Sequence, residues 1–213
     1  MISFEDGKKT VKFARGIIEY ILKKENLGSS DLGNNFNEKL GVFVTIHKFP
    51  SYGLRGCIGI PNPIMSLKNS ITEASKSVIR DPRFPPLLED ELDEIVIEVT
   101  ILSKPKKINV IKPEDYINEI KIGRDGLIIE HGFNSGLLLP QVPVEQEWDV
   151  NEYLANICLK AGLPPDTWID KETSILKFSG QIFTEIEPRG EIKEKNLNGF
   201  ISLRKSIFKW KFK

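Results

Sequence analysis

A cysteine, an arginine and three regularly spaced glycines share the stretch "SYGLRGCIGIPNP", residues 51–63. Gly53, Gly56 and Gly59 fall at every third position, with Arg55 and Cys57 among them. A thiol becomes a nucleophile when a nearby cation or a helix N-terminus favours its thiolate. If "LRGCIGI" is a strand, Arg55, Cys57 and Gly59 line one face, and Leu54, Gly56, Ile58 and Ile60 form a core-facing surface. Arg55 and Cys57 would then stand roughly 7 Å apart at Cα, close enough for the guanidinium to lower the thiol pKa. Asn62 and Pro63 read as the N-cap and first residue of a helix whose positive end adds to that effect. This chemistry would make Cys57 a nucleophile or covalent carrier, with Arg55 holding an anionic or carbonyl oxygen. Gly56 and Gly59 would let a ligand approach the backbone. The same residues also suit a site without chemistry, where the glycines admit a neighbouring strand and the cysteine is a small buried hydrophobe. The stretch is neither GxGxxG nor a Walker loop.

A catalytic cysteine needs a base, and His47 and His131 are the two histidines available. Both end apolar strand-like runs, "FVTI" and "GLIIE". Glu98 and Glu130 also fall on strands; a solvated outer face is the ordinary place for them, and an inner face would be notable. "RDPRFPP" holds Asp81 and Arg83 on a proline-stiffened loop, which suits ligand positioning or simply terminates a helix with Phe84 tucked into the core. Two cysteines and two histidines show no paired zinc spacing, and no metal is expected. The tail "RKSIFKWKFK", residues 204–213, alternates lysines with Phe208, Trp210 and Phe212. Such alternation fits a lysine-guarded edge strand better than a contact for single-stranded nucleic acid.

The elements that would position these residues follow from periodicity. An apolar stripe of Val11, Ala14, Ile17, Ile18, Ile21 and Leu22 predicts a helix over 8–24. "GVFVTIHKF", 41–49, alternates as a strand, with Phe43, Thr45 and His47 on one face. Ile64, Leu67, Ile71, Ala74 and Val78 predict a second helix, which Asp81-Pro82 closes. "EIVIEVTILS", 94–103, is a strand. Asp125-Gly126 between apolar runs signals a hairpin turn. "SGLLLP" and "ILKFSGQIFTEI" supply further strands. Asp149 and Glu152 form a capping box before a helix over 150–161, on which Cys158 faces inward. Helices flanking a strand-rich middle predict an α+β fold with mostly antiparallel sheets.

The chain has 213 residues and no net charge, with 40% hydrophobic and 28% charged residues. That is a globular composition long enough for a real core, and it predicts no electrostatic footprint for nucleic acid. No signal-peptide core or membrane-length apolar run appears, so a cytoplasmic protein with free thiols is expected. Few Cys and Met beside abundant Ile, Lys and Glu hint at a thermophile.

The hexapeptide "LRGCIG", residues 54–59, resembles the hallmark of the AMMECR-type domain family. The likeness continues through "GVFVTI", "DPRFPPL", "ELDEIVIEVTILSKP", "IGRDGLII", "GLLLPQVPVEQEWD" and "ICLKAGL", about residues 8–190, which suggests one domain over 1–213. The resemblance implies an α+β fold with a larger and a smaller lobe, and a cleft between them near the hexapeptide. It implies a cytoplasmic archaeal or bacterial protein of the kind whose genes sit beside, or fuse to, those of a Memo-type and a radical-SAM protein; these are the expected partners. It carries over no reaction and no cofactor. Arg55, Gly56, Cys57, Gly59, Asp81, Arg83 and Gln141 fall within the matching motifs, and His131 outside them. The expected function is thus a cleft around the hexapeptide, either using Cys57 on a small anionic or carbonyl substrate or serving without catalysis as an interaction or regulatory module linked to a partner protein or to nucleic acid.

Overall fold

A computed structural model describes residues 2–24 and 32–195. The basic tail, 204–213, lies outside the described residues. In chain order the elements are α1 (Phe4–Lys23), β1 (Gly41–Lys48), β2 (Leu54–Ile60), α2 (Leu67–Val78), β3 (Ile95–Leu102), β4 (Lys106–Lys107) and α3 (Tyr116–Glu119). Then follow β5 (Asp125–His131), β6 (Asn134–Leu138), α4 (Val142–Glu145), α5 (Val150–Lys160), β7 (Ser174–Glu185) and β8 (Ile192–Lys195). The fold is α+β and built on antiparallel pairing.

The chain divides into two compact units, 1–103 with 181–195, and the intervening 104–180. In the larger unit β1 pairs with β2 on one side and β3 on the other, and β7 pairs with β8. Helix α1 starts a turn before the periodicity predicts, because the Ser3 side chain accepts the Asp6 N–H; Lys24 closes it in the left-handed region. Its Val11, Ala14, Ile17 and Ile18 meet Leu67, Ile71 and Ala74 of α2 over Val42, Val44, Ile97 and Val99 of the sheet. Each such fully buried aliphatic side chain is worth roughly 1.5–3 kcal/mol.

Three expectations fail here for identifiable reasons. Helix α2 begins at Leu67, not Pro63, because Ser66 supplies the cap to the Asn69 N–H while the Leu67 N–H goes to the Glu38 carbonyl. Its N-terminus therefore sits ten residues beyond Cys57 in sequence. The face assignment at Leu54 fails because the β1–β2 register shifts between Ile46, opposite Gly56, and His47, opposite Leu54. Arg55 is the extra residue of this bulge, and Leu54 is exposed. Phe84 is only half-buried beneath Arg83, and it is Leu87 that enters the core.

The smaller unit orders β6, β5, the 174–180 part of β7, and β4, with α5 against the sheet. Its core gathers Leu127, Ile129, Tyr153, Leu154, Ile157 and Ile175. Asp149 and Glu152 cap α5 reciprocally, as expected, and Cys158 is fully buried. Asp125-Gly126 is not the hairpin turn: it opens β5, with the Phe178 ring lying where a Gly126 Cβ would be. The turn is Gly132-Phe133, and Gly132 has φ 57°.

Candidate functional site

The register of the larger unit places Cys57, Thr45 and Glu98 directly opposite one another on β2, β1 and β3. Alternation puts Phe43, His47, Gly59 and Thr100 on the same face, while Val42, Val44, Ile46, Ile97 and Val99 turn to the core. One side of this sheet is thus packed apolar core, and the other carries a polar row.

Cys57 is half-buried, and the Thr45 hydroxyl donates to its Sγ at 3.2 Å. Burial pushes the thiol above its ordinary value, further than the Thr45 bond and the Arg83 charge pull it down; Glu98 and Asp81 add to the rise. The expected activation by Arg55 has no hydrogen bond behind it among the described residues. The guanidinium of Arg55, a residue only 7% exposed, turns to Glu91, with Nε–Oε1 at 2.7 Å and Nη2–Oε2 at 2.9 Å. It also donates to the Pro85 carbonyl at 2.9 Å and the Pro86 carbonyl at 3.3 Å. That bond in turn holds the Glu91 carboxyl below the usual carboxylate range. Among the described residues, no hydrogen bond joins His47 or His131 to the thiol; His131 faces Thr173 at 3.0 Å in the smaller unit.

Asp81 and Arg83 answer the Cys57 backbone rather than its side chain. The Cys57 N–H donates to Asp81 Oδ2 at 2.8 Å, and its carbonyl accepts from Arg83 Nη2 at 3.0 Å. Arg83 also clamps Asp81 at 2.6 and 3.0 Å, and this bond above all holds the Asp81 carboxyl far below its ordinary range. The glycines also have physical reasons. A Cβ on Gly56 would come within 2.9 Å of the Val78 carbonyl oxygen of α2, and one on Gly59 would strike the Phe43 ring. At Gly53 it would meet Ser51 Oγ at an ordinary 3.5 Å.

A family model described as AMMECR1 matches residues 11–183. The chain belongs to this family. Protein MJ0810 of Methanocaldococcus jannaschii is 53% identical over 92% of this chain and 98% of its own. Protein MK0488 of Methanopyrus kandleri is 45% identical over 92% of this chain and 96% of its own. The crystal structure of the uncharacterized protein PH0010 from Pyrococcus horikoshii, 47% identical, superposes with a TM-score of 0.82 over 92% of this chain and 98% of that one. The α+β fold is that of its AMMECR1 relatives.

Within this AMMECR1 domain, six of the seven residues singled out from sequence lie in the larger unit: Arg55, Gly56, Cys57, Gly59, Asp81 and Arg83. Gln141 belongs to the smaller unit, just before α4, and its Oε1 is buried without a hydrogen-bond partner among the described residues. Sequence reasoning missed Thr45, Glu91 and Lys195. Thr45 was visible as a face-mate of His47, but its contact with Cys57 depends on strand register. Glu98, expected on a solvated face, is 8% exposed. Burial alone would raise its carboxyl; His47, whose Nε2 lies 3.7 Å from Oε2, and Lys195, ion-paired to that oxygen, outweigh it and hold the carboxyl below the usual range. Glu130 is exposed, as expected. Among the described residues, no group of three or more His, Cys, Asp or Glu could hold a metal ion, and no helix is long and apolar enough to cross a membrane.

Proposed function

We propose that the protein acts by binding rather than by thiol catalysis, taking a small molecule or a group on a partner at the polar sheet face around Cys57, Thr45 and Glu98. One observation carries this reading: the groups that would activate or assist a nucleophile are already spent. Arg55 is held by Glu91 and two carbonyls, Arg83 by Asp81 and the Cys57 backbone, and burial holds the thiol above its ordinary value against the pull of the Thr45 bond. The hexapeptide and the "DPRFPPL…ELDE" stretch then serve as a mutual brace that fixes one strand, with Cys57 as a neutral lining group.

Alkylation by iodoacetamide across pH tests this against the thiol-enzyme reading. The expected result is slow labelling of Cys57, with a midpoint above the roughly 8.5 of a free thiol. The Arg55→Ala variant should leave that midpoint in place in the folded protein. Fast labelling near neutral pH, slowed by removing Arg55 or Arg83, would restore Cys57 as a nucleophile. Cys158 should label only on unfolding.

A further inference from the structure

Glu98 stands at the centre of the polar face with a charge that neither strand pairing nor core packing requires. A carboxylate this buried is costly unless a cation meets it. Its neighbours come from other strands: the Lys195 ammonium of β8 at Oε2, and the His47 ring of β1, whose Nε2 is 3.7 Å from the same oxygen and has no hydrogen-bond partner among the described residues. On the β1 side its neighbours in register are the Thr45 hydroxyl and, beyond it, the Cys57 thiol. Arg55 and Arg83 are committed to Glu91 and Asp81. The Lys195 side chain is 27% exposed while the Glu98 side chain is 11% exposed, so a solvent-reaching stem delivers an ammonium to an inner carboxylate.

We propose that Glu98 is an ammonium-recognition site: the ligand of this face carries a primary ammonium group, and Lys195 is the internal occupant that holds the carboxylate until that ligand displaces it. This rests on reading the face as a binding surface. A carboxylate selects the charge, and the compact three-donor ammonium suits one oxygen better than a planar guanidinium, which prefers two.

Chemical rescue tests it. Lys195→Ala removes a stem and ammonium that n-propylammonium reproduces. The variant should lose roughly 5–10 °C in Tm, the effect of unpairing a buried carboxylate in a domain this size. Millimolar n-propylammonium should restore most of that loss saturably. Propan-1-ol, which lacks the charge, and tetramethylammonium, which lacks the N–H donors, should not, and Glu98→Gln in the same background should abolish the recovery. Equal recovery with either control, or recovery that survives Glu98→Gln, would overturn the proposal, because cavity filling or ionic strength would then explain it. If Lys195→Ala does not fold, Lys195→Gln serves in calorimetric titration with n-propylammonium, where a flat isotherm is the refuting result. The outcomes are separable: absent rescue leaves the Cys57 labelling profile untouched, and a reactive Cys57 leaves the rescue untouched.

Discussion

Replacing Gly56 with valine tests the closest backbone approach in the hexapeptide. A Cβ there would lie 2.9 Å from the Val78 carbonyl oxygen and 3.2 Å from Val78 Cγ2. Comfortable contacts are about 3.5–4.0 Å, so β2 and the end of α2 must separate by about half an ångström or more. The Val78 carbonyl also accepts the Asp81 N–H, so the movement loosens the loop whose carboxylate holds the Cys57 N–H. Overpacking of this kind costs roughly 1–3 kcal/mol, which in a chain of this length lowers Tm by roughly 3–10 °C. Gly56→Ala should fall at the low end of that range. Gly53→Ala is the internal control, since its Cβ would meet only Ser51 Oγ at 3.5 Å. It should be neutral or gain up to about 1 kcal/mol by restricting the unfolded chain. Calorimetry and denaturant melts of the three variants read these values. Equal stability of Gly56→Val and Gly53→Ala would refute the close approach, and with it the explanation of why glycine stands at position 56.

Other outcomes follow from the same contacts. Arg55→Lys should destabilise nearly as much as Arg55→Ala, by roughly 2–4 kcal/mol, because an ammonium cannot replace the two-pronged bond to Glu91 plus two carbonyls; recovery of wild-type Tm by lysine would show that charge alone matters. Asp81 has a depressed folded pKa, so its stabilising contribution is present above the unfolded value near 3.9 and is lost as pH falls below it. Wild type should therefore lose more stability than Asp81→Asn between pH 5 and pH 2, and parallel acid-unfolding curves would count against the clamp. Thr45→Val should move the Cys57 labelling midpoint further upward by removing the hydroxyl bond that partly offsets burial; an unchanged midpoint would mean that the bond is not made in solution.

Periodicity located most of what local physics decides. The stripe of α1, the alternation of β1 and β3, and the capping box of α5 lie in windows short enough for one element's own residues to declare it. The failures share a different cause. Asn62-Pro63 has the local form of a helix start, but Ser66 takes the cap because the chain first crosses to Glu38. Asp125-Gly126 has the local form of a hairpin turn, but Gly126 is there to admit the Phe178 ring. At the candidate site, Cys57 and Arg55 were visible as residue types, whereas their partners lie 24 to 36 residues away in Asp81, Arg83 and Glu91. The sign of the Cys57 pKa shift turned on burial, which outweighs the Thr45 bond and the Arg83 charge once the bulge directs Arg55 to Glu91. Nothing in the local pattern announces a one-residue bulge.

The pair of bonds that Asp81 and Arg83 make to Cys57 has a bearing on how the molecule behaves among copies of itself. Strand β2 is the last in its sheet order, and "LRGCIGI" is an apolar run at that border. A border strand of this kind ordinarily presents amides and carbonyls on which a foreign strand can zip. Here a carboxylate and a guanidinium take the places that the carbonyl and amide of an incoming strand would fill at Cys57, and the exposed Arg83 guanidinium resists stripping of its water. The border is sealed at its midpoint without adding a strand, so colloidal stability depends on two side chains of one loop. Loss of either would surface as concentration-dependent association.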